Sequence, residues 1–437
     1  MRQSGSRLAD GRSDPARAPG RGVHVYVIVW LIAAMALACL TTSPAAAQQN
    51  QGGSVNSVAD TADASPLTVH GGSIAIAGES TRLTLEFDRK SDFKSFFMNN
   101  PPRLVVDGPS MLFRFSDATA LEPKGLVSFL RYGAIARDRS RLVASLSGPA
   151  RIGALAVEPL GVGGKYRLVI DLVPATGEAF VAMVEEQQKL VGKSGEVVTV
   201  GDRVRPAPRK EGRKVVVIDP GHGGIDGGAK GSSGTFEKEL TLELGKQIAS
   251  EIEKLGIFDV RMTREEDLFV SLRERVAFAR RNEADLVISI HADSLRQSWV
   301  RGATIYTLSR KASDDLAHEL AESENAADLV AGLDNPQQDD FVTDILADLT
   351  LRETTVFSRS FSALLVSKLE RQINLIKNPQ RSAAFAVLKA PEIPSVLIEL
   401  GYLSNPEDEK LMTDQAWQNG VASSLALTVK SYFDNRR

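Results

Sequence analysis

Two kinds of strand in one chain predict an α/β domain, a twisted, mostly parallel or mixed sheet with helices on both faces, preceded by a small all-β sandwich. The first observation is a pair of near-continuous apolar strands, Val215–Ile218 and Leu286–Ile290, set among segments of helical periodicity. Strands apolar on both sides are buried on both faces, which requires helices above and below the sheet. The second is a run of short strands between residues 67 and 173, bounded by Gly, Pro and Ser, with almost no helical period. The third is a charged, proline-bearing stretch between the two regions, 176–213, that reads as a linker. A length of 437 residues accommodates such an arrangement.

The N-terminus has the pattern of a secretory signal. Arg2, Arg7, Arg12, Arg17 and Arg21 precede an apolar run from Val23 to Leu40, followed by Ser43-Pro44-Ala45-Ala46-Ala47. A basic region, an apolar core and a small-residue cleavage site predict removal of residues 1–47 and export to the periplasm. There is no Arg-Arg pair ahead of the core, which favours the general secretory route. Cys39, the single cysteine, lies inside this segment, and Ala36-Leu37-Ala38-Cys39 is a poor lipid-attachment box. The mature chain would then hold no thiol, leaving His, Asp and Glu as metal ligands. The net charge of −3, or −6 after removal of five Arg and two Asp, gives no reason to expect nucleic acid as a partner. No membrane span is expected after processing.

Residues 48–66 are polar and small, a flexible leader. In 67–175 one pattern recurs four times, at Arg82-Leu83, Arg103-Leu104, Arg141-Leu142 and Arg167-Leu168, each opening a short strand. The spacings of 59 (Arg82 to Arg141) and 64 (Arg103 to Arg167) predict a duplicated half-domain. From Pro174 to Lys214 the chain reads as irregular. In 214–437 the order expected is a strand at 215–219, a helix with Leu244, Ile248, Ile252 and Leu255 on one face, and a strand near 258–263. A helix from Ser271 to Arg281, strands at 285–291 and near 303–308, a long helical stretch, a strand at Ser395–Leu400 and a C-terminal helix from Asp414 complete it.

Chemistry concentrates where strands end. His222 follows Val215–Pro220 in a glycine-rich turn, His291 follows Leu286–Ile290, and the whole chain has five histidines. In open α/β sheets ligands gather at the carboxyl ends of strands. Glu237 and Glu239 compete for a third position at the start of the helix after the loop. Two imidazoles and a carboxylate, with the fourth position open to water, are the ligand set of a catalytic zinc hydrolase. Nucleotide binding by the glycine turn is disfavoured, since neither phosphate-loop pattern is present. Glu399 ends the apolar strand Ser395-Val396-Leu397-Ile398; a buried carboxylate there needs a cation or a working site, which makes it the candidate general base.

Together these segments resemble the periplasmic N-acetylmuramoyl-L-alanine amidases of the cell-division type. The resemblance covers 214–433, through Val215–Gly224, Thr235-Phe236-Glu237-Lys238-Glu239, Met262-Thr263-Arg264, Leu272 with Arg275, Ile288–Asp293 and Val396–Asn405. It implies one zinc per catalytic domain held by His222, Glu237 and His291, with Glu399 as the catalytic glutamate. The implied reaction is hydrolysis of the amide between N-acetylmuramic acid and L-alanine of peptidoglycan. Residues 67–173 look like the AMIN domain of many such enzymes, most clearly at Asn100-Pro101-Pro102-Arg103-Leu104-Val105-Val106-Asp107, which implies peptidoglycan binding and placement at division septa.

An insertion at about 309–355 carries Leu316–Leu329 and an apolar face of Val342, Ile345, Leu346 and Leu349. In regulated members of the family such an insertion covers the zinc until a septal activator removes it. The partner implied is a periplasmic or outer-membrane protein docking on the insertion, and the covering acid is Glu319, Glu322, Glu324 or Asp344. His318 is expected to face solvent. Two other functions remain open: a zinc peptidase cutting stem peptides, and a non-catalytic peptidoglycan binder.

Overall fold

Strands of mixed exposure build the first domain, whereas Leu286–His291 and Ser395–Glu399 of the second are buried at every residue. In this computed structural model, residues 65–115, 117, 119–161, 163–191, 208–333 and 345–436 are described. The expected signal and most of the leader fall outside these residues.

Nine strands build the N-terminal domain: β1 (Leu67–Ala77), β2 (Ser80–Phe87), β3 (Lys94–Met98), β4 (Arg103–Pro109), β5 (Met111–Phe113), β6 (Val127–Ala136), β7 (Arg139–Leu146), β8 (Ala150–Pro159) and β9 (Tyr166–Pro174). They form two sheets, ordered β5-β1-β2-β9-β8 and β3-β4-β7-β6. Leu83, Leu85 and Ile170 of the first sheet meet Leu104, Val106 and Leu142 of the second in one apolar core. The four Arg-Leu segments are the adjacent pairs β2/β9 and β4/β7, one pair in each sheet. Arg82 pairs with Asp171 across the first pair, and Arg141 with Asp107 across the second.

Beyond β9 the irregular chain expected from Pro174 onward is instead a helix, α1 (Gly177–Val191). Phe180 and Val184, one turn apart, enter the sandwich core, and Gln187 accepts a hydrogen bond from the Phe97 amide at 3.0 Å. Burial of this short apolar stripe outweighs the charged composition that made the segment read as linker.

The second domain contains β10 (Lys214–Pro220), α2 (Glu237–Lys254), β11 (Phe258–Met262), α3 (Leu272–Arg281), β12 (Leu286–His291), β13 (Ala303–Leu308), α4 (Asp315–Asn325), α5 (Ala327–Val330), α6 (Ile345–Leu369), β14 (Leu375–Ala383), β15 (Ser395–Glu399), α7 (Pro406–Met412) and α8 (Gln415–Asp434). Its sheet runs β11-β10-β12-β15-β13-β14. It is mixed: β11, β10, β12 and β15 run parallel to one another, β13 is antiparallel to β15, and β14 is parallel to β13. Val216, Ile218, Ile288 and Ile290 point to α2, α6 and α8 on one side. Val215, Val217 and Val287 point to α3 on the other. Both faces are covered, as continuous apolar strands require. Among the described residues no helix is long and apolar enough to cross a membrane.

Candidate metal centre

β10 and β12 lie side by side and end together, so the residues just beyond them share one edge of the sheet. The Gly221 amide donates to the Ile290 carbonyl at 2.9 Å, and a Cβ on Gly221 would lie 2.5 Å from the His291 ring. Only glycine lets the two chain ends approach this closely. The next residue, His222, has φ of 57°, a left-handed conformation costly for a side chain with a Cβ.

That strained backbone is held from several sides. Arg275 donates to the carbonyls of Pro220 (2.6 Å) and His222 (2.7 Å) and to Asp219 (2.7 Å). Arg264 donates to the carbonyls of Pro220 and Gly221 at 3.0 and 2.8 Å. Both arginines fall in segments singled out above only for their family resemblance. Buried cations at chain carbonyls are how this turn is fixed.

His222 Nδ1 lies 2.8 Å from Asp226 Oδ2, and Asp226 Oδ1 accepts the Gly228 amide. Asp226 thereby places the ring proton on Nδ1 and leaves Nε2 bare toward the centre. Sequence reasoning missed Asp226; its signal was its position four residues after a turn histidine.

Glu237 opens α2 and is fully buried. Its Oε2 accepts the Ala229 amide at 2.9 Å and its Oε1 the Ala292 amide at 2.8 Å. The first bond ties the helix start to the loop before it, and the second ties it to the end of β12. Burial opposes ionisation of Glu237, but His222 and His291 hold it well below the usual carboxylate range. Glu239, the competitor, is exposed. The sheet register sets His291 beside Glu399 on neighbouring strand ends. Glu399 Oε2 accepts the Asp293 amide at 2.9 Å, and burial, with Asp293, Glu237 and Glu324 nearby, raises the Glu399 carboxyl well above its ordinary value.

Glu324, near the end of α4, completes the group. Its Oε2 lies 3.6 Å from His222 Nε2 and 3.1 Å from His291 Nδ1. Glu237 approaches the same two nitrogens at 3.1 and 3.3 Å. One donor atom from each of His222, Glu237, His291 and Glu324 falls within a 4.8 Å span, and all four residues are buried. The other candidate acids on the insertion point elsewhere: Glu319 sits by Arg296, and Glu322 is exposed beside an exposed His318. Asp344 and Val342 lie outside the described residues.

The donor set fits a metal cation on two observations. His222 Nε2, His291 Nδ1 and Glu399 Oε1 are buried without a hydrogen-bond partner. Acids also outnumber imidazoles: Asp226, Glu237, Asp293, Glu324 and Glu399 crowd the two histidines. Such a crowd of buried acids is relieved by protonation or by a cation, and the two bare imidazole nitrogens among them offer a cation its ligands. Imidazole and carboxylate donors with no thiolate suit zinc. A cleft beside the cluster is lined by His222, Leu272, Arg275, His291, Glu324 and Phe385.

Comparison with known proteins matches residues 216–431 to the N-acetylmuramoyl-L-alanine amidase family and residues 74–172 to the AMIN domain. The chain is 35% identical over 369 residues to the N-acetylmuramoyl-L-alanine amidase AmiC of Escherichia coli O6:H1, covering 82% of this chain and 87% of that one. Against AmiC of Neisseria meningitidis serogroup B it is 33% identical, covering 81% and 87%. Against AmiA of Escherichia coli K12 the figure is 38% over 252 residues, covering 56% of this chain and 87% of the relative. A sandwich and a two-sided sheet in this order, with this agreement along both, settle the family: the chain belongs to the AMIN-bearing N-acetylmuramoyl-L-alanine amidases of the cell-division type and is an amidase acting on peptidoglycan.

Proposed function

We propose that the enzyme is zinc-dependent, works in the periplasm at division septa, and rests in a form shut by its own insertion. The supporting observation is the position of Glu324, whose Oε2 lies 3.6 and 3.1 Å from the two orphaned imidazole nitrogens. In this reading His222, Glu237 and His291 hold the metal, and Glu324 occupies the position that water and substrate need.

Bound zinc supplies Lewis acidity, polarising an amide carbonyl and acidifying water. The remaining work falls to side chains of this chain. Glu399 Oε1 is buried without a hydrogen-bond partner, which leaves it available to take a proton from attacking water and pass it to the leaving L-alanine nitrogen. The Asp293 amide fixes the other oxygen, so Glu399 keeps its aim throughout. Asp226 keeps the His222 proton off the metal-facing nitrogen. The AMIN domain would hold the enzyme on peptidoglycan, and a partner docking on the insertion would draw Glu324 away.

Digestion of purified sacculi tests the metal requirement. Zinc-loaded protein with its insertion opened by Glu324→Ala should release free stem peptides and leave unsubstituted glycan. Chelation should stop the release and added zinc should restore it. Undiminished release from metal-free protein would overturn the zinc reading.

A further inference from the structure

Glu324 is fixed by contacts well beyond its own helix. Asn325 bonds the Ala384 carbonyl and the Ala386 amide, and Asp328 accepts the Leu272 amide at 3.0 Å. These anchor the insertion to the catalytic domain. The next four residues are gripped by the AMIN domain instead.

Arg141 on β7 donates through Nη1 to the carbonyls of Ala331 (3.0 Å) and Gly332 (3.2 Å). Its other edge is clamped to Asp107 by two bonds of 2.6 and 2.9 Å. Arg103 on β4 donates to the Leu329 carbonyl at 2.5 Å. Ala331 is buried among Val105, Val143 and Ile135 of the same sheet, together with Ile225 and Phe269 of the catalytic domain. Gly332 has φ of 69°, and a Cβ there would lie 3.1 Å from Val105, so the chain runs flush against the sheet. β6 also touches the metal-site loop, where the Ile225 amide donates to the Ala134 carbonyl at 3.1 Å.

The internal duplication supplies a control within the molecule. The counterpart of Arg141–Asp107 in the first sheet, Arg82–Asp171, uses the same two-bond geometry, but the Arg82 side chain is 50% exposed and that of Arg141 only 4%. The strand positions opposite Arg167 and Arg103 differ in type, Glu86 and Ser145, and Arg103 reaches the Leu329 carbonyl. Two copies of one pattern have diverged so that the second sheet presents guanidinium groups to backbone carbonyls of the insertion.

We propose that this second sheet of the AMIN domain is the latch of the insertion: Arg103, Arg141 and the Val105/Val143 surface hold residues 329–332, and through them keep Glu324 over the metal site. The latch rests on the reading of Glu324 given above. Opening the site then requires the AMIN sheet to release the insertion, which couples the position of the binding domain to the state of the active site.

The test uses the full zinc-loaded chain, with two readouts: amide hydrogen exchange in residues 315–333 and release of soluble product from sacculi. Arg141→Ala removes the latch from the AMIN side. Ala331→Asp removes it from the insertion side by placing a charge in the apolar contact, and leaves the AMIN sequence untouched should the first variant fold poorly. Each should speed exchange in 315–333 and raise the rate about tenfold, the scale of two or three hydrogen bonds lost with their packing. In a Glu324→Ala background, Arg141→Ala should add little further rate. A faster Glu324→Ala enzyme with Arg141→Ala and Ala331→Asp both unchanged in exchange and rate would overturn the latch and leave the lid intact. A folded Glu324→Ala enzyme no faster than the parent would overturn the lid, and with it the latch as a control on activity.

Discussion

His222 occupies a backbone conformation that few non-glycine residues adopt, and its neighbours hold it there with buried arginines. The strain makes sense only if the imidazole must point at one place. Replacing His222 or His291 with Ala should therefore abolish metal stoichiometry and activity while the AMIN domain remains folded; metal analysis with circular dichroism checks both. A metal-free His291→Ala protein with full activity would contradict the assignment. Glu399→Ala should keep its metal and lose turnover by about 10²–10⁴-fold, the scale of a positioned proton carrier. Asp226→Ala should loosen metal by roughly 10–100-fold, because the ring proton is then free to sit on the ligating nitrogen. At this scale the sequence was informative about the histidines, since a histidine ending an apolar strand has few other roles. Spacing could not choose between Glu237 and Glu239; the structure separates them because the helix start folds back so that Glu237 bonds two amides and Glu239 faces solvent. Glu324 was one of four acids, and what singles it out is Asn325 and Asp328 fastening the helix end, contacts no local pattern reveals.

The insertion is the element whose behaviour the account depends on. Asp328 is buried, which raises its carboxyl from 3.8 to about 6 against the opposing effects of the Leu272 amide and Arg275, with Asp226 adding to the rise. A carboxyl raised in the docked state stabilises docking in its protonated form; that contribution is full below about pH 4 and lost as pH rises through about 6. Residues 320–333, corrected for intrinsic pH effects, should accordingly exchange amide hydrogens faster at pH 7 than at pH 5. Asp328→Asn should flatten that difference, and an unchanged difference in the variant would show that another group sets it. Element prediction failed at α1, β14 and the short helix α7, the first two for different reasons. The charges of α1 hide Phe180, Met183 and Val184 at helical spacing, so its sequence resembles a linker. Strand β14 was absent from the reading because Leu375–Ala383 is polar and contains Pro379, a pattern tolerated only at a sheet edge, which is where it lies.

Two domains joined by a charged segment suggest independent modules, yet the structure packs AMIN strands onto both the metal-site loop and the insertion. Sequence patterning showed each domain because each has its own period; it could not show their contact, which rests on single residues such as Arg103 and Arg141. Residues 65–191, which keep α1 in the sandwich core, should pellet with sacculi better than residues 208–437. With a modest overall charge, that binding should weaken only mildly with salt. Equal pelleting of the two fragments would remove the AMIN domain as the targeting element. A metal site complete but stopped by its own chain makes one comparison decisive. Metal content and the rate of product release from sacculi are measured for the full chain and for Glu324→Ala. The account predicts that the variant keeps one zinc per chain and is faster, by up to about a hundredfold if the resting enzyme is open ~1% of the time. A folded, zinc-loaded variant no faster than its parent would contradict it.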